Sequence, residues 1–567
     1  MGSFRRIAAL ALTPLVLLLA ACGDEEPPVE LVEGVIADVS AVDNTFRPEE
    51  LQVAAGTEVV WTNDGRTEHN VIPVDDDAGF RVDTEDFAPG DEYSFRFTEP
   101  GTYEYYCSLH GTAAAGMIGS VEVTAGEVDD DDGPDATTDT TASSDGDGEI
   151  LRIPDQYYTV QDAVDAAAPG DMVLVAPGVY NEAVDVTTDG ITIRGLDRNE
   201  TILDGEFELE NGIRVLGASG VVVENMTARN YTGNGFFWTG VDGYRGSFLT
   251  AYRNGDYGIY AFDSVNGQFN DSYASGSPDA GFYIGQCYPC DAVIDNVVSE
   301  HNGLGYSGTN AGGNLAIVNS VFRFNRAGIV PNSGSYELCF PERESTIAGN
   351  IIYSNNQADS PAIEVALLAM GNGILVAGGH RNLIVNNLVE DHERTGIGLV
   401  PFPEESPDYD LPSEADLDLP CSEVRDRELP DPETLPDLLL WNAEDNEVRG
   451  NVVRRSGLAD IGFGSLDATD GLGNCFTGND FTTSAPLALE QLAPCDGEPT
   501  ATDWTAGAVD LVALIASERP PPGDYRRTPI PAAQADMDDP EGAPFAPFSG
   551  PEPVDIDSIT VPAGLPG

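Results

Sequence analysis

The chain contains no lysine: all 26 of its basic side chains are arginine, set against 97 acidic ones. A formal charge of −71 excludes nucleic acid as a partner, because a polyanion is repelled on approach. A lysine base or nucleophile is excluded as well. The imbalance suits concentrated salt, where screening relieves self-repulsion, so a halophilic source is expected. Histidine is scarce, five in 567 residues, so two at a metal-ligating spacing carry weight. The apolar run from Ile7 to Ala20 is short for a transmembrane helix.

That run follows Arg5-Arg6 and ends in Leu19-Ala20-Ala21-Cys22. A basic start, a short apolar core and small residues before a break read as an export signal over residues 1–22. The ending resembles a bacterial lipoprotein box, which implies lipidation of Cys22 and attachment to the outer face of a cell membrane. The alternative is a secreted protein with a coincidental cysteine, and Sec and twin-arginine export both stay open. Beyond Cys22 and Cys107, six cysteines remain: Cys287, Cys290, Cys339, Cys421, Cys475 and Cys495. In an exported protein an even number suggests disulfides, and nearest neighbours would pair 287–290, 339–421 and 475–495.

Length predicts two or three domains. Residues 31–125 alternate apolar and polar in short runs broken by Asn63-Asp64-Gly65 and Pro100-Gly101, the pattern of a small β-sandwich. Residues 126–148 are Asp, Thr, Ser and Gly with little to bury, and read as an acidic disordered linker. From 150 to 496 the pattern is a repeat. Glycines opening short strands recur at 190, 212, 235, 258, 281, 305 and 328, then at 373 and 396, in steps of 22 to 24 residues outside one interruption. So short a period with β-forming residues predicts a parallel β-helix, its open end covered by a helix beginning near Thr159. Asn225, Asn270, Asn296, Asn319, Asn387 and Asn451 fall about ten residues before several of these glycines, where stacked amides could bond from coil to coil. Residues 332–345 and 402–442 should leave the stack as loops, and the Pro-rich segment 497–567 should form an extended tail.

The strongest chemistry lies in the sandwich. Cys107 and His110 are three apart on one turn, Met117 follows seven later, and His69 precedes the cysteine by 38 residues. Two imidazoles, a thiolate and a weak axial thioether form a site that suits both Cu(I) and Cu(II). The stretch from Phe46 through Trp61-Thr62-Asn63 to His69-Asn70-Val71 resembles plastocyanin and other small blue-copper proteins, over residues 34–124. The resemblance implies a cupredoxin Greek-key sandwich with one type 1 copper held by His69, Cys107, His110 and Met117. It departs from plant plastocyanins in the longer spacing from His110 to Met117, filled by Gly111-Thr112-Ala113-Ala114-Ala115-Gly116.

The segment Thr159-Val160-Gln161-Asp162-Ala163-Val164 through Gly178-Val179-Tyr180 resembles the start of pectin-lyase-like, right-handed β-helices. These include pectin methylesterases and the copper-binding β-helix proteins that accompany nitrous oxide reductase. The Asp-Phe-Ile-Phe-Gly, Gly-His-Gly and Asp-Pro-His motifs of carbohydrate-active members are absent. In the strand after each repeat glycine, positions +1 and +3 are apolar and point inward. Position +2 then faces out and reads Thr192, Arg214, Phe237, Tyr260, Tyr283, Ser307 and Val330. Phe237, Tyr260 and Tyr283 make a stripe roughly 10 Å long, at about 4.8 Å per coil. It suits a sugar platform, a partner surface, or cover by the chain's own tail or insertions. Asp256 and Asp279 border it as candidate acids or ordinary turn residues. His301 and His380 read as turn or surface histidines. Cys287-Tyr288-Pro289-Cys290 reads as a structural disulfide, with a redox pair or a copper(I) site as alternatives.

The expected function is extracytoplasmic, lipid-anchored copper electron transfer, with the β-helix as a binding or docking scaffold. A redox protein is the expected partner, and a polysaccharide is a further candidate. A polysaccharide-active lyase, hydrolase or epimerase with an accessory copper domain is the first alternative, and copper delivery to a respiratory enzyme the second.

Overall fold

Two kinds of β architecture follow one another in the computed structural model. It describes residues 35–566 apart from 43–44, 66–67, 76–77, 114, 125–147, 406–418, 425–437 and 467–469. Cys22 and nearly all of the acidic linker therefore lie outside the described residues. The first unit packs two four-stranded sheets face to face. One contains Thr45–Arg47, Ile36–Val42, Glu58–Asn63 and Glu92–Arg96. The other contains Glu50–Ala54, Ala115–Thr124, Gly101–Thr112 and Ile72–Pro73. Alternating inward residues fill the space between with Phe46, Trp61, Phe80, Phe97 and Tyr105, all at most 1% exposed.

From Ile150 the chain winds as a parallel β-helix with three faces. The first runs from Ile150–Ile153 and Met172–Val175 to Cys475–Thr477, the second from Gly178–Tyr180 to Val452–Arg454. The third, an eleven-stranded sheet, runs from Val184–Val186 to Ser484–Ala485. Each coil places like on like: Ile213, Phe236, Ile259 and Phe282 stack inward along the third face. The helix Val160–Ala166 closes the first end, with Val160, Ala163 and Val164 buried on the core and Thr159 accepting from the Asp162 amide. At the other end Leu489–Leu492 and Trp504, which packs against Phe463, do the same.

The repeat register differs from the sequence expectation in one coil. Thr192–Gly195 belongs to the first face, paired with Met172–Val175, and the partner of Ile213 on the third face is Val184. Gly190 therefore opens a different face from Gly212. Spacing alone could not separate them, because a long turn between faces shifts the phase without breaking the apparent period.

Two of the six asparagines expected to stack do so. Asn387 and Asn451 stand in a buried ladder, Asn350–Asn387–Asn451–Asn479, each amide bonding to the next and the last ending on Glu490. Two further ladders run through Asn302, Asn325 and Asn355, and through Asn382, Asn446 and Asn474. Asn225, Asn296 and Asn319 instead hold left-handed turn conformations. Asn296 and Asn319 bond to the carboxylates of Asp271 and Asp295. Asn270 pairs with the neighbouring Asp271.

The C-terminal segment is laid along the outside of the stack. Buried Arg194 pairs with Glu224 and donates to the carbonyls of Pro540, Ala543 and Pro544, while Arg326 donates to those of Pro520 and Pro521. The three disulfides join Cys287 to Cys290, Cys339 to Cys421, and Cys475 to Cys495. The second links the two segments that leave the stack, one of which forms a hairpin of Phe402–Glu405 with Leu438–Trp441.

Candidate metal centre

Gly101–Thr112 and Ala115–Thr124 form a regular antiparallel ladder as far as Tyr106 and Ile118. The pairing then resumes only at Gly111 and Gly116, so residues 107–110 bulge from one strand opposite Met117 of the other. This bulge throws Cys107 and His110 to the same side. His69 arrives from the loop between Glu58–Asn63 and Ile72–Pro73. The Sγ of Cys107 lies 3.7 Å from His69 Nδ1 and 3.5 Å from His110 Nδ1, and the two nitrogens are 3.0 Å apart. A point equidistant from these three atoms lies about 2.0 Å from each, a metal–nitrogen bond length. Among the described residues this is the group of His, Cys, Asp and Glu side chains whose donor atoms converge, all within 4.8 Å.

Burial alone would push the Cys107 thiol up. The adjacent His110 and His69 overcome it by charge and hydrogen bonding and hold the thiol well below its usual range. Thiolate and imidazole are the forms a soft transition metal takes. His69 and Cys107 are 0% exposed, and Met117, in the same apolar cluster as Cys107, is 1% exposed. His110 alone of the four is partly exposed. Asn70 locks the arrangement: its Oδ1 accepts from the Ser108 amide at 2.7 Å, and its Nδ2 donates to Ser108 Oγ at 2.8 Å and Thr84 Oγ1 at 2.9 Å. It ties the His69 loop to the Cys107 bulge. Its place directly after His69 was the signal available in the sequence.

A family model described as copper binding proteins, plastocyanin/azurin family, matches residues 34–124. Plastocyanin of Cucurbita pepo is 41% identical over 87 residues, a match covering 14% of this chain and 86% of that protein. The chain belongs to the plastocyanin/azurin family of copper-binding proteins. Chloroplastic plastocyanin of Silene latifolia is 40% identical over 87 residues, and the match spans about half, 52%, of that protein and 14% of this chain. A purple cupredoxin of Nitrosopumilus maritimus is 29% identical, with 16% of this chain and 99% of that one covered and a TM-score of 0.14. A second model, right handed beta helix region, matches residues 234–401. The A-module of an Azotobacter vinelandii mannuronan C-5 epimerase aligns over 56% of this chain and 88% of its own, at 15% identity and a TM-score of 0.38.

The plastocyanin-like domain is docked on the third face of the β-helix by the end that carries Cys107 and His110. Arg214 donates from Nη1 to the carbonyls of Ser108 at 2.9 Å and Leu109 at 3.1 Å, and is itself held bidentately by Asp185. Burial pushes the carboxyl of the neighbouring Glu210 up to about 7, with Arg214 opposing the rise and the Cys107 thiolate adding to it. Neither Arg214 nor Glu210 was singled out from the sequence as a contact to the centre. Arg214 was visible only as a charged member of the outward row.

Phe237, Tyr260 and Tyr283 do point outward from that face, but they do not form an open ligand platform. They are 1%, 5% and 0% exposed. They belong to one buried apolar cluster that takes in Ala366 and Ala369 of the helix Glu364–Ala369, with Ile363 packed against it. Tyr283 is capped further by Glu337, which accepts from its hydroxyl at 2.6 Å. Asp279 accepts from the Tyr257 hydroxyl at 2.7 Å. His301 occupies a left-handed turn, stacked on Phe324. His380 bridges the strands of Arg343 and Glu444, and burial lowers its imidazole to about 4.

Proposed function

We propose that His69, Cys107, His110 and Met117 hold one copper ion, and that the protein is an electron carrier. The observation that carries this reading is the convergence of two imidazole nitrogens and a buried thiolate on one point beside a buried methionine. Copper held by this donor set supplies one-electron chemistry with little change of geometry. The chain's own residues do the rest. His69 and Asn70 fix the loop, the Tyr106–Gly111 bulge fixes Cys107 and His110, and the aromatic core keeps water from the thiolate. Three buried ligands and one part-exposed imidazole leave no open position for a substrate, which favours electron transfer over catalysis and retention over delivery.

The β-helix then serves as the scaffold on which this domain is docked. The Leu19-Ala20-Ala21-Cys22 pattern supports an extracytoplasmic protein tethered by a lipid on Cys22, and three disulfides suit such an oxidising compartment. The test is reconstitution with Cu(II). One equivalent should produce an intense visible thiolate-to-copper absorption that Cys107→Ser abolishes. A weak, ordinary Cu(II) spectrum in the unaltered protein would sink the reading. Mass spectrometry of the membrane fraction for a diacylated Cys22 checks the anchor.

A further inference from the structure

The outward row of the third face changes character along its length. Beyond the three buried rings it continues to Leu375, Gly398 and Gly462, paired in that order on adjacent strands, with Ile374, Ile397 and Ile461 turned into the core. Two glycines in succession leave the sheet bare where side chains would stand, and they line an apolar cavity of about 120 Å³. Its walls include Leu368 of the helix Glu364–Ala369, Leu458, and Leu511 and Ile515 from the two ends of the short helix Leu511–Ile515. Leu368, Leu458 and Ile515 are at the same time exposed, so the cavity opens to solvent through an apolar rim. An apolar cavity of roughly 150 Å³ stays dry and accepts a molecule of benzene's size.

No carboxylate lines this cavity, in a chain that carries 97 acidic residues, and its only charged lining groups are Arg394 and Arg519. Arg394 donates to the Leu368 carbonyl and to Ser517 Oγ, each at 3.0 Å. Arg519 donates to the carbonyls of Leu514 at 2.7 Å and Ile515 at 2.8 Å and to that of Ser517, while its Nε is buried without a partner. The acceptors they hold are thus neutral carbonyls and one hydroxyl. The two guanidiniums are near enough to repel: burial, then the charge of Arg519, holds Arg394 below its ordinary range, with Glu393 opposing. A pair of guanidiniums at an apolar hollow matches a ligand with an anionic head and an apolar tail.

We propose that this cavity binds a carboxylic acid with a short apolar tail, its carboxylate at Arg394 and Arg519 and its tail over Gly398 and Gly462. The site lies wholly within the β-helix and its C-terminal segment. It goes beyond the electron-carrier reading and does not depend on copper.

Binding is measured on the full chain by isothermal titration calorimetry, with and without copper. Octanoate should bind at one saturable site in both forms. Octan-1-ol, with the same tail and no charge, should bind at least tenfold more weakly, and acetate should show no saturable binding. Arg394→Gln and Arg519→Gln should each weaken octanoate at least fivefold and leave octan-1-ol unchanged, with the circular dichroism unaltered. Arg519→Lys, which keeps the charge, should retain most of the affinity. Leu458→Glu, on the exposed rim, should abolish binding. Equal affinity for octanoate and octan-1-ol, or an arginine variant that weakens both alike, overturns the proposal. So does a failure of octanoate to bind the unaltered chain; if sedimentation then shows a dimer that Leu458→Glu dissociates, the groove belongs to a second copy. The electron-carrier reading fails separately, by the absence of the intense absorption on copper loading.

Discussion

Arg214 of the β-helix donates a hydrogen bond of 2.9 Å to the carbonyl of Ser108, the residue that follows Cys107 in the bulge of residues 107–110. A guanidinium here is a fixed positive charge beside the centre, and positive charge favours the reduced, less positive state. Arg214→Gln should therefore lower the reduction potential by roughly 10–60 mV, the upper end being about a tenfold change in the redox equilibrium. Arg214→Lys keeps the charge while losing the fork and should restore most of the potential. Redox titration of the copper-loaded variants checks both.

Asn70→Ala removes three hydrogen bonds between the His69 loop and the elements around it. At about 1 kcal/mol each, the plastocyanin-like domain should lose roughly 2–3 kcal/mol. A lower melting temperature of the metal-free protein, with faster loss of copper to a chelator, is the expected outcome.

Two buried groups in the β-helix give opposite pH dependence. Burial pushes the carboxyl of Glu342 from 4.5 up to about 8, against hydrogen bonds from Asn382 and Ser345 and the charge of Arg343. The folded state holds its proton where the unfolded chain has lost it, so stability falls as pH rises from 4.5 to 8. Burial lowers His392 from 6.5 to about 3, with Asp391 opposing. There the unfolded chain binds the proton first, so stability falls as pH drops from 6.5 toward 3. Each group contributes a slope of at most about 1.4 kcal/mol per pH unit. Glu342→Gln should flatten the alkaline limb and His392→Asn the acid limb, read from urea unfolding across pH.

His392 also ends the ladder of Asn302, Asn325 and Asn355, accepting at Nε2 from Asn355 Nδ2 at 3.3 Å. Asparagine at this position has the shape to extend that ladder. At pH 7 His392→Asn should therefore cost less than His392→Ala.

The Arg194–Glu224 pair is buried, with side chains 1% and 3% exposed. Glu224→Gln leaves a buried guanidinium without its carboxylate and should destabilise the β-helix by about 3–5 kcal/mol. Deleting residues 535–567 removes three of the carbonyls that Arg194 uses and should act in the same direction. Thermal melting of both variants tests this.

Local pattern determined a good deal of this protein. Cys107, His110 and Met117 lie on one turn and its return strand, so their spacing alone announced a metal site, and His69 was conspicuous because histidines are so few. The 23-residue step along the third face was legible because each coil repeats the same inward positions. The alternation that sent Phe237, Tyr260 and Tyr283 outward was legible for the same reason. What lies on top of an outward residue is set by segments far away in the chain, and no periodicity encodes that. Only the tertiary structure buried those three rings in one cluster with Ala366 and Ala369 of the helix Glu364–Ala369. It separated Gly190 from Gly212 by face, and moved the amide ladders to Asn302, Asn350 and Asn382. It also brought Arg214 to the carbonyls between Cys107 and His110. The convergence of His69, Cys107 and His110 was thus legible in the sequence, whereas the docking of that end on the β-helix depends on contacts across more than a hundred residues.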